Sequence, residues 1–234
     1  MKVGILSDIH GNVEALSALP ERFDELWVLG DLVNYGPNPS EVVDYVKANA
    51  IVVVRGNHDH AVGFGEDSRC SAPFREMAQA MQEYTMAVLS DQQKSFLREL
   101  PLRIDRNLEG VKVSLCHAVP SDPLFTYCPP ESDRWPDEIK AVTGDVLLVG
   151  HTHLPFQREF GGKRVVNPGS IGQPKIGRPE ACYAVWDTSR ADSPISLRTF
   201  EYQFEETIRK IEALPLPAEI KSSLASVLRY GGLR

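Results

Sequence analysis

The chain has 234 residues, 42% hydrophobic and 24% charged, with a formal net charge of −7 at pH 7. A length of this order buries a substantial core in one α/β domain, expected here over residues 1–234. The acidic balance argues against a surface built to track a long nucleic-acid backbone, but not against a small phosphate ester held by divalent ions.

In chain order, Lys2 to Leu6 predicts a buried strand and Asn12 to Leu19 a short helix with Val13, Leu16 and Leu19 on one face. The loop between them carries Asp8 and His10, spaced either to reach one cation or to serve as an N-cap acid beside a surface imidazole. A second strand, Leu26 to Leu29, runs into the punctuated segment Gly30 to Pro39, which continues neither a strand nor a helix. Ser40 then caps a helix to about Ala48, with Val42, Val43 and Val46 facing inward. The apolar run Ala50 to Val54 is a third strand that ends in Gly56-Asn57-His58-Asp59. This alternation implies parallel βαβ units, whose ligands gather at the carboxyl ends of the strands.

Residues 61–108 are expected to form a helical insertion overhanging the site, with helices over 72–89 and 91–100 and a packing face of Met77, Met81, Tyr84 and Val88. The strand Val111 to Cys116 leads to His117 and a proline-rich loop. A helix near Asp133 to Ala141 follows, then the strand Val146 to Val149, which ends in Gly150-His151-Thr152-His153. Arg164 to Val166, Cys182 to Asp187 and Ile195 to Phe200 predict antiparallel strands of a second sheet. Helices over Phe204 to Ala213 and Ala218 to Tyr230 close the chain.

Cys70, Cys116, Cys128 and Cys182 form no C-x-x-C pair, which fits reduced thiols in a cytoplasmic protein. Met1 to Asp8 reaches an acid before a signal-peptide core could form, and no apolar run approaches the roughly 20 residues that span a bilayer. The expected location is the cytoplasm, away from membranes. Whether the chain forms a homo-oligomer stays open at this stage.

All six histidines, His10, His58, His60, His117, His151 and His153, lie in or beside these strand-end loops, together with Asp8, Asp31 and Asn57. Imidazole, carboxylate and amide donors without thiolate suit borderline or hard divalent ions. Seven ligands exceed what one catalytic ion with an open position can use, and suit two ions sharing a carboxylate. Such a pair can acidify water and clamp the oxygens of an in-line phosphoryl displacement, which implies phosphate-ester hydrolysis.

Asp8-Ile9-His10, Gly30-Asp31, Gly56-Asn57-His58-Asp59, His117 and Gly150-His151-Thr152-His153 resemble, in order, the five motifs of the calcineurin-like metallophosphoesterases. The likeness spans roughly residues 3–170, and with Asn167-Pro168-Gly169-Ser170 it looks most similar to the compact YfcE-like prokaryotic phosphodiesterases. The resemblance implies a four-layer αββα sandwich of two mixed sheets. It implies that Asp8, His10 and His153 hold one metal, that Asn57, His117 and His151 hold the other, and that Asp31 bridges them. Manganese is the first expectation, with iron, zinc, nickel or magnesium as alternatives. His58 would serve as acid or transition-state stabiliser while a hydroxide bridging the metals attacks phosphorus. Asp59 would brace the loop.

Related protein phosphatases carry an Asp and a phosphate-gripping Arg where this chain has Asn34 and Tyr35, which weakens that assignment. Asn34 is expected to hydrogen-bond His58, and Arg55 to lend charge if it points into the pocket. The leading reading is a hydrolase of small phosphodiesters or monoesters. The alternatives are dinucleoside polyphosphate hydrolysis, a protein Ser/Thr phosphatase, or a non-catalytic interaction scaffold that would have lost a ligand or His58.

Overall fold

The computed structural model describes residues 1–190 and 194–233. In chain order it contains β1 (Lys2–Leu6), α1 (Val13–Ser17), β2 (Glu25–Val28), α2 (Pro39–Asn49), β3 (Val52–Val53) and α3 (Asn57–Phe64). Next come α4 (Arg75–Val88), α5 (Asp91–Glu99), β4 (Arg103–Leu108), β5 (Val111–Cys116), α6 (Trp135–Lys140) and β6 (Val146–Leu148). The chain ends with β7 (Phe156–Phe160), β8 (Lys163–Asn167), β9 (Glu180–Asp187), β10 (Ile195–Glu201), α7 (Phe204–Glu212) and α8 (Ala218–Tyr230).

Two mixed five-stranded sheets, ordered β10-β9-β1-β2-β3 and β4-β5-β6-β8-β7, lie between helices. The period of two along each strand explains the layering. Val3, Ile5, Trp27 and Leu29 of the first sheet meet Val113, Leu115, Val146 and Leu148 of the second in a closed apolar layer. The alternate residues Leu6, Leu26 and Val28 face outward onto Val42, Val43 and Val46 of α2 and Leu97 of α5. On the far side, Cys116, Leu147 and Val165 cover Trp135 and Ile139 of α6. A further cluster joins Met77 and Met81 of α4 to Ile208, Leu224 and Leu228 of α7 and α8.

Four expectations need correction. The last three predicted strands do not form one antiparallel sheet: β8 runs parallel to β6 in the second sheet, whereas β9 and β10 extend the first sheet beside β1. The 61–108 segment is not helical throughout, because β4 pairs antiparallel with β5 from Arg103↔Cys116 to Leu108↔Val111. Its alternation is masked by charged residues on an edge strand, a common protection against edge pairing. Val88 is 43% exposed and stands outside the α4 packing face, while Met77 and Met81 are buried. Helix α2 also begins two residues earlier than expected: Asn38, not Ser40, is its N-cap, and Pro39 stands in its first turn, where a missing N–H costs nothing. No helix among the described residues is long and apolar enough to cross a membrane.

Candidate metal centre

β1, β2 and β3 run parallel in one sheet, and β5, β6 and β8 run parallel in the other. The loops leaving their carboxyl ends converge. Asp8 and His10 follow β1, Asp31 follows β2, Asn57 and His58 open α3 after β3, His117 follows β5, and His151 and His153 follow β6. Among the described residues nine non-glycine residues have positive φ, and all but Glu109 belong to this region: Asp8, His10, Asp31, Asn34, Tyr35, Arg69, His151 and His153. Each left-handed residue costs on the order of 1–2 kcal/mol, tolerated where the surroundings over-determine the conformation.

Close backbone approach completes the cradle. A Cβ on Gly56 would lie 2.0 Å from Asp31 Oδ1, and one on Gly150 would lie 2.0 Å from Ser7 Oγ and 2.9 Å from Asp8 Oδ2. Asp59, at the third position of α3, accepts hydrogen bonds from the N–H groups of Asp31 (2.8 Å), Leu32 (2.8 Å) and Gly56 (3.0 Å). It thereby ties the β2 loop to the start of α3, as a capping box does for a helix alone.

Asp8, His10 and His153 offer ligand atoms that all lie within 4.8 Å of one another, and so do Asp31, His117 and His151. Asn57 adds its Oδ1 to the second group, 3.1 Å from His117 Nε2 and 3.1 Å from His151 Nδ1, after its Nδ2 has donated to the Ser68 carbonyl at 2.7 Å. Asp31 stands between the groups, with Oδ2 3.2 Å from His117 Nε2 and 3.8 Å from His10 Nε2.

The residues fit divalent ions on an internal test. His10 Nδ1 donates to the Val33 carbonyl (3.0 Å), His153 Nδ1 to Gln173 (2.7 Å) and His117 Nδ1 to Leu29 (2.7 Å). A neutral ring held this way presents a bare Nε2. The Nε2 atoms of His10 and His153 face each other at 3.2 Å, and Asp8 Oδ1, buried and without a hydrogen-bond partner, lies 3.1 Å from His153 Nε2. Three lone pairs aimed at one point repel unless a cation sits among them.

Protonation follows from the same surroundings. Burial lowers the pKa of His10, and takes His58 down to about 4 and His151 down to about 3. Burial and Lys175 lower that of His153. Asp8 stays ionised: burial opposes its charge, but His153 and His117 outweigh that and hold the carboxyl well below its usual range. His117 differs, because burial disfavours its charge but Asp31 overrides it and raises the group to about 9. A cation entering the second group therefore displaces a proton there.

His58 lies in the same cleft, and its backbone N–H donates to Asp31 Oδ1 at 2.9 Å. Asn34 Nδ2 donates to His58 Nδ1 at 2.7 Å and to the Ala78 carbonyl at 3.1 Å. That bond leaves Nδ1 as acceptor and puts the ring proton on Nε2.

Arg55 is not among the residues that line the cleft. Its guanidinium donates to the Arg98 carbonyl and lies 5.1 Å over the Phe64 ring, because α5 packs on that side of α3. His60 also turns away, pairing with Glu66 at 3.2 Å. The cations that do line the cleft are Arg69 and Lys175, with Phe74, Phe125 and Tyr127, in a cavity of about 140 Å³. Neither cation was singled out from sequence. Lys175 follows β8, whose direction decides that it faces this end of the sheets.

The calcineurin-like phosphoesterase superfamily domain matches residues 1–191. An uncharacterised protein of Methanocaldococcus jannaschii is 32% identical over 238 residues, covering 92% of this chain and 93% of that one. Phosphodiesterase YfcE of Escherichia coli K12 is 29% identical over 203 residues, covering 80% and 88%. A solved metallophosphoesterase from Sphaerobacter thermophilus superposes with a TM-score of 0.80 at 27% identity, over 96% of this chain and 98% of its own. With the domain matched across most of its length and every strand-end motif in place, the chain belongs to the calcineurin-like phosphoesterase superfamily.

Proposed function

We propose that the chain hydrolyses small phosphoesters, phosphodiesters first, at a centre of two divalent ions. Asp8, His10 and His153 hold one ion, Asn57, His117 and His151 hold the other, and Asp31 contributes to both. The observation that carries this reading is the pair of facing acceptor groups with Asp31 between them and Asp8 Oδ1 left without a donor. Bound there, the ions would supply an activated water and neutralise charge on the phosphoryl oxygens. Mn²⁺ is our first choice, on donor chemistry that also suits Fe²⁺, Zn²⁺, Ni²⁺ and Mg²⁺. A reducing compartment such as the cytoplasm agrees with four free cysteines.

The protein's own groups do the rest. His58 carries its proton on Nε2, on a neutral ring that lines the cleft, and donates a hydrogen bond that stabilises the negative charge developing on the leaving or phosphoryl oxygen. Asn34 fixes that tautomer and the ring plane. Asp59 keeps Asp31 and His58 in register through its backbone acceptor bonds.

Metal-stripped protein, reloaded with each ion, should hydrolyse a nitrophenyl phosphodiester. His58→Gln should lose about 10²–10³-fold in kcat with its metal content intact, and Asp31→Ala should lose metal and activity together. Wild type that binds two ions per chain yet turns over neither diester nor monoester would overturn the enzyme reading.

A further inference from the structure

The cleft carries more positive charge than the cleavage of one phosphoryl group requires. Asp8 and Asp31 belong to the two candidate ligand groups; Arg69 and Lys175 stand on the remaining wall of the cavity that Asp31 lines. Two divalent ions set against two carboxylates leave charge enough for one phosphoryl group and the attacking nucleophile. Arg69 and Lys175 add two positive charges, and neither forms a salt bridge among the described residues. Unneutralised cations on an acidic chain of net charge −7 are held there against ordinary composition.

Both are also held in place. The Arg69 guanidinium lies 4.5 Å over the Phe125 ring, and the Lys175 ammonium lies 4.3 Å over the Phe74 ring. A cation over an aromatic face loses less freedom on meeting an anion than one on a free stem. Arg69 has φ +51, and its backbone N–H donates to Asp67 Oδ1 at 2.7 Å, so its backbone is fixed in the same strained class as the candidate ligand loops. Tyr127, 51% exposed, closes the rim with its ring 5.9 Å from that of His151. An exposed ring beside a charged cleft is a stacking surface for a planar group.

We infer that Arg69 and Lys175 form a second anion-binding position, which selects phosphoesters carrying a further phosphate next to the one that is cleaved. The class is that of pyrophosphate-linked esters, with an aromatic or nucleoside group accommodated against Tyr127. This rests on the phosphoesterase reading for the scissile phosphate, but not for the anion-binding position itself.

The test compares p-nitrophenyl esters of a nucleoside monophosphate and of the matching nucleoside diphosphate, with products followed by chromatography. Calorimetric titration of the metal-loaded protein with inorganic phosphate and inorganic pyrophosphate runs alongside. Lys175→Met and Arg69→Met should each lower kcat/KM for the diphosphate ester by about tenfold more than for the monophosphate ester. Pyrophosphate binding should weaken by about tenfold relative to phosphate, and Lys175→Arg should restore most of both. Equal losses on the two esters would place these cations on the scissile phosphoryl and overturn the inference, as would no loss on either. If wild type cleaves neither ester but binds pyrophosphate through Lys175, the anion position stands and the hydrolase reading falls. Absence of both turnover and Lys175-dependent binding would defeat both.

Discussion

Asn34→Gly isolates the group that orients His58. The substitution removes the amide whose Nδ2 donates to His58 Nδ1 at 2.7 Å, on a residue that is fully buried. Glycine is the right replacement because φ at this position is +75, where alanine or leucine would add strain and blur the result. Without that donor the ring is free to place its proton on either nitrogen, and the Nε2–H form loses its bias. A buried hydrogen bond of this kind is worth about 1–3 kcal/mol, which corresponds to about 5- to 150-fold in kcat. The assay is steady-state hydrolysis of a nitrophenyl phosphodiester by the metal-loaded protein, with metal content measured on the same samples. We expect kcat to fall within that range while KM and metal content stay close to wild type. In a His58→Gln background the same substitution should cost nothing further, because the two residues act as one unit. Either of two results would refute the reasoning: a kcat within about twofold of wild type, or an undiminished further loss in the His58→Gln background.

Asp59→Asn probes the brace under the site. Its two carboxylate oxygens accept three backbone N–H groups, so an amide nitrogen at one of these positions would confront a donor. A loss of about 1–3 kcal/mol is expected, or about 2–12 °C in melting temperature for a chain of this size, read by calorimetry. Lys175 gives a pH dependence. Burial lowers it to about 8, against the opposing pull of Asp8, Asp31 and Cys70. It is therefore charged below about pH 8 and neutral above. KM for a pyrophosphate-linked ester should rise as pH passes through that value, and the rise should be absent in Lys175→Arg, whose guanidinium stays charged.

The candidate ligands were legible because each is written the same way: an apolar run, then Asp, Asn or His within a few residues of its end. Burial of the run fixes where the strand ends, and the parallel βαβ alternation fixes which end carries the loops. The Asn34–His58 hydrogen bond was legible by resemblance alone, because related protein phosphatases carry at the Asn34 position an Asp that orients the corresponding His. What sequence could not supply is the direction of a side chain leaving a loop. Arg55 directly precedes the Gly56-Asn57-His58 motif, yet its guanidinium goes to the Arg98 carbonyl. The start of α3 at Asn57 turns successive side chains about a helix axis, so neighbours in sequence face different surroundings.

Strand direction explains the larger omission. Taken as an antiparallel strand, Arg164 to Val166 would carry the following loop to the far end of the sheet, and nothing in that loop would concern the cleft. In the structure β8 pairs parallel with β6, Val146↔Arg164 to Leu148↔Val166, so its carboxyl end opens at the same place as the ends of β5 and β6. The consequences run along the loop. Asn167 Nδ2 donates to the Gly150 carbonyl at 2.6 Å, the Gln173 carbonyl fixes His153 Nδ1 at 2.7 Å, and Lys175 reaches the cleft two residues later. One strand's direction thus controls both the tautomer of a candidate ligand and the positive charge lining the cleft. Hydrophobic periodicity reports that a strand is buried, not which way it runs beside its neighbour; the loop after β8 belonged to the site for a reason that only pairing reveals.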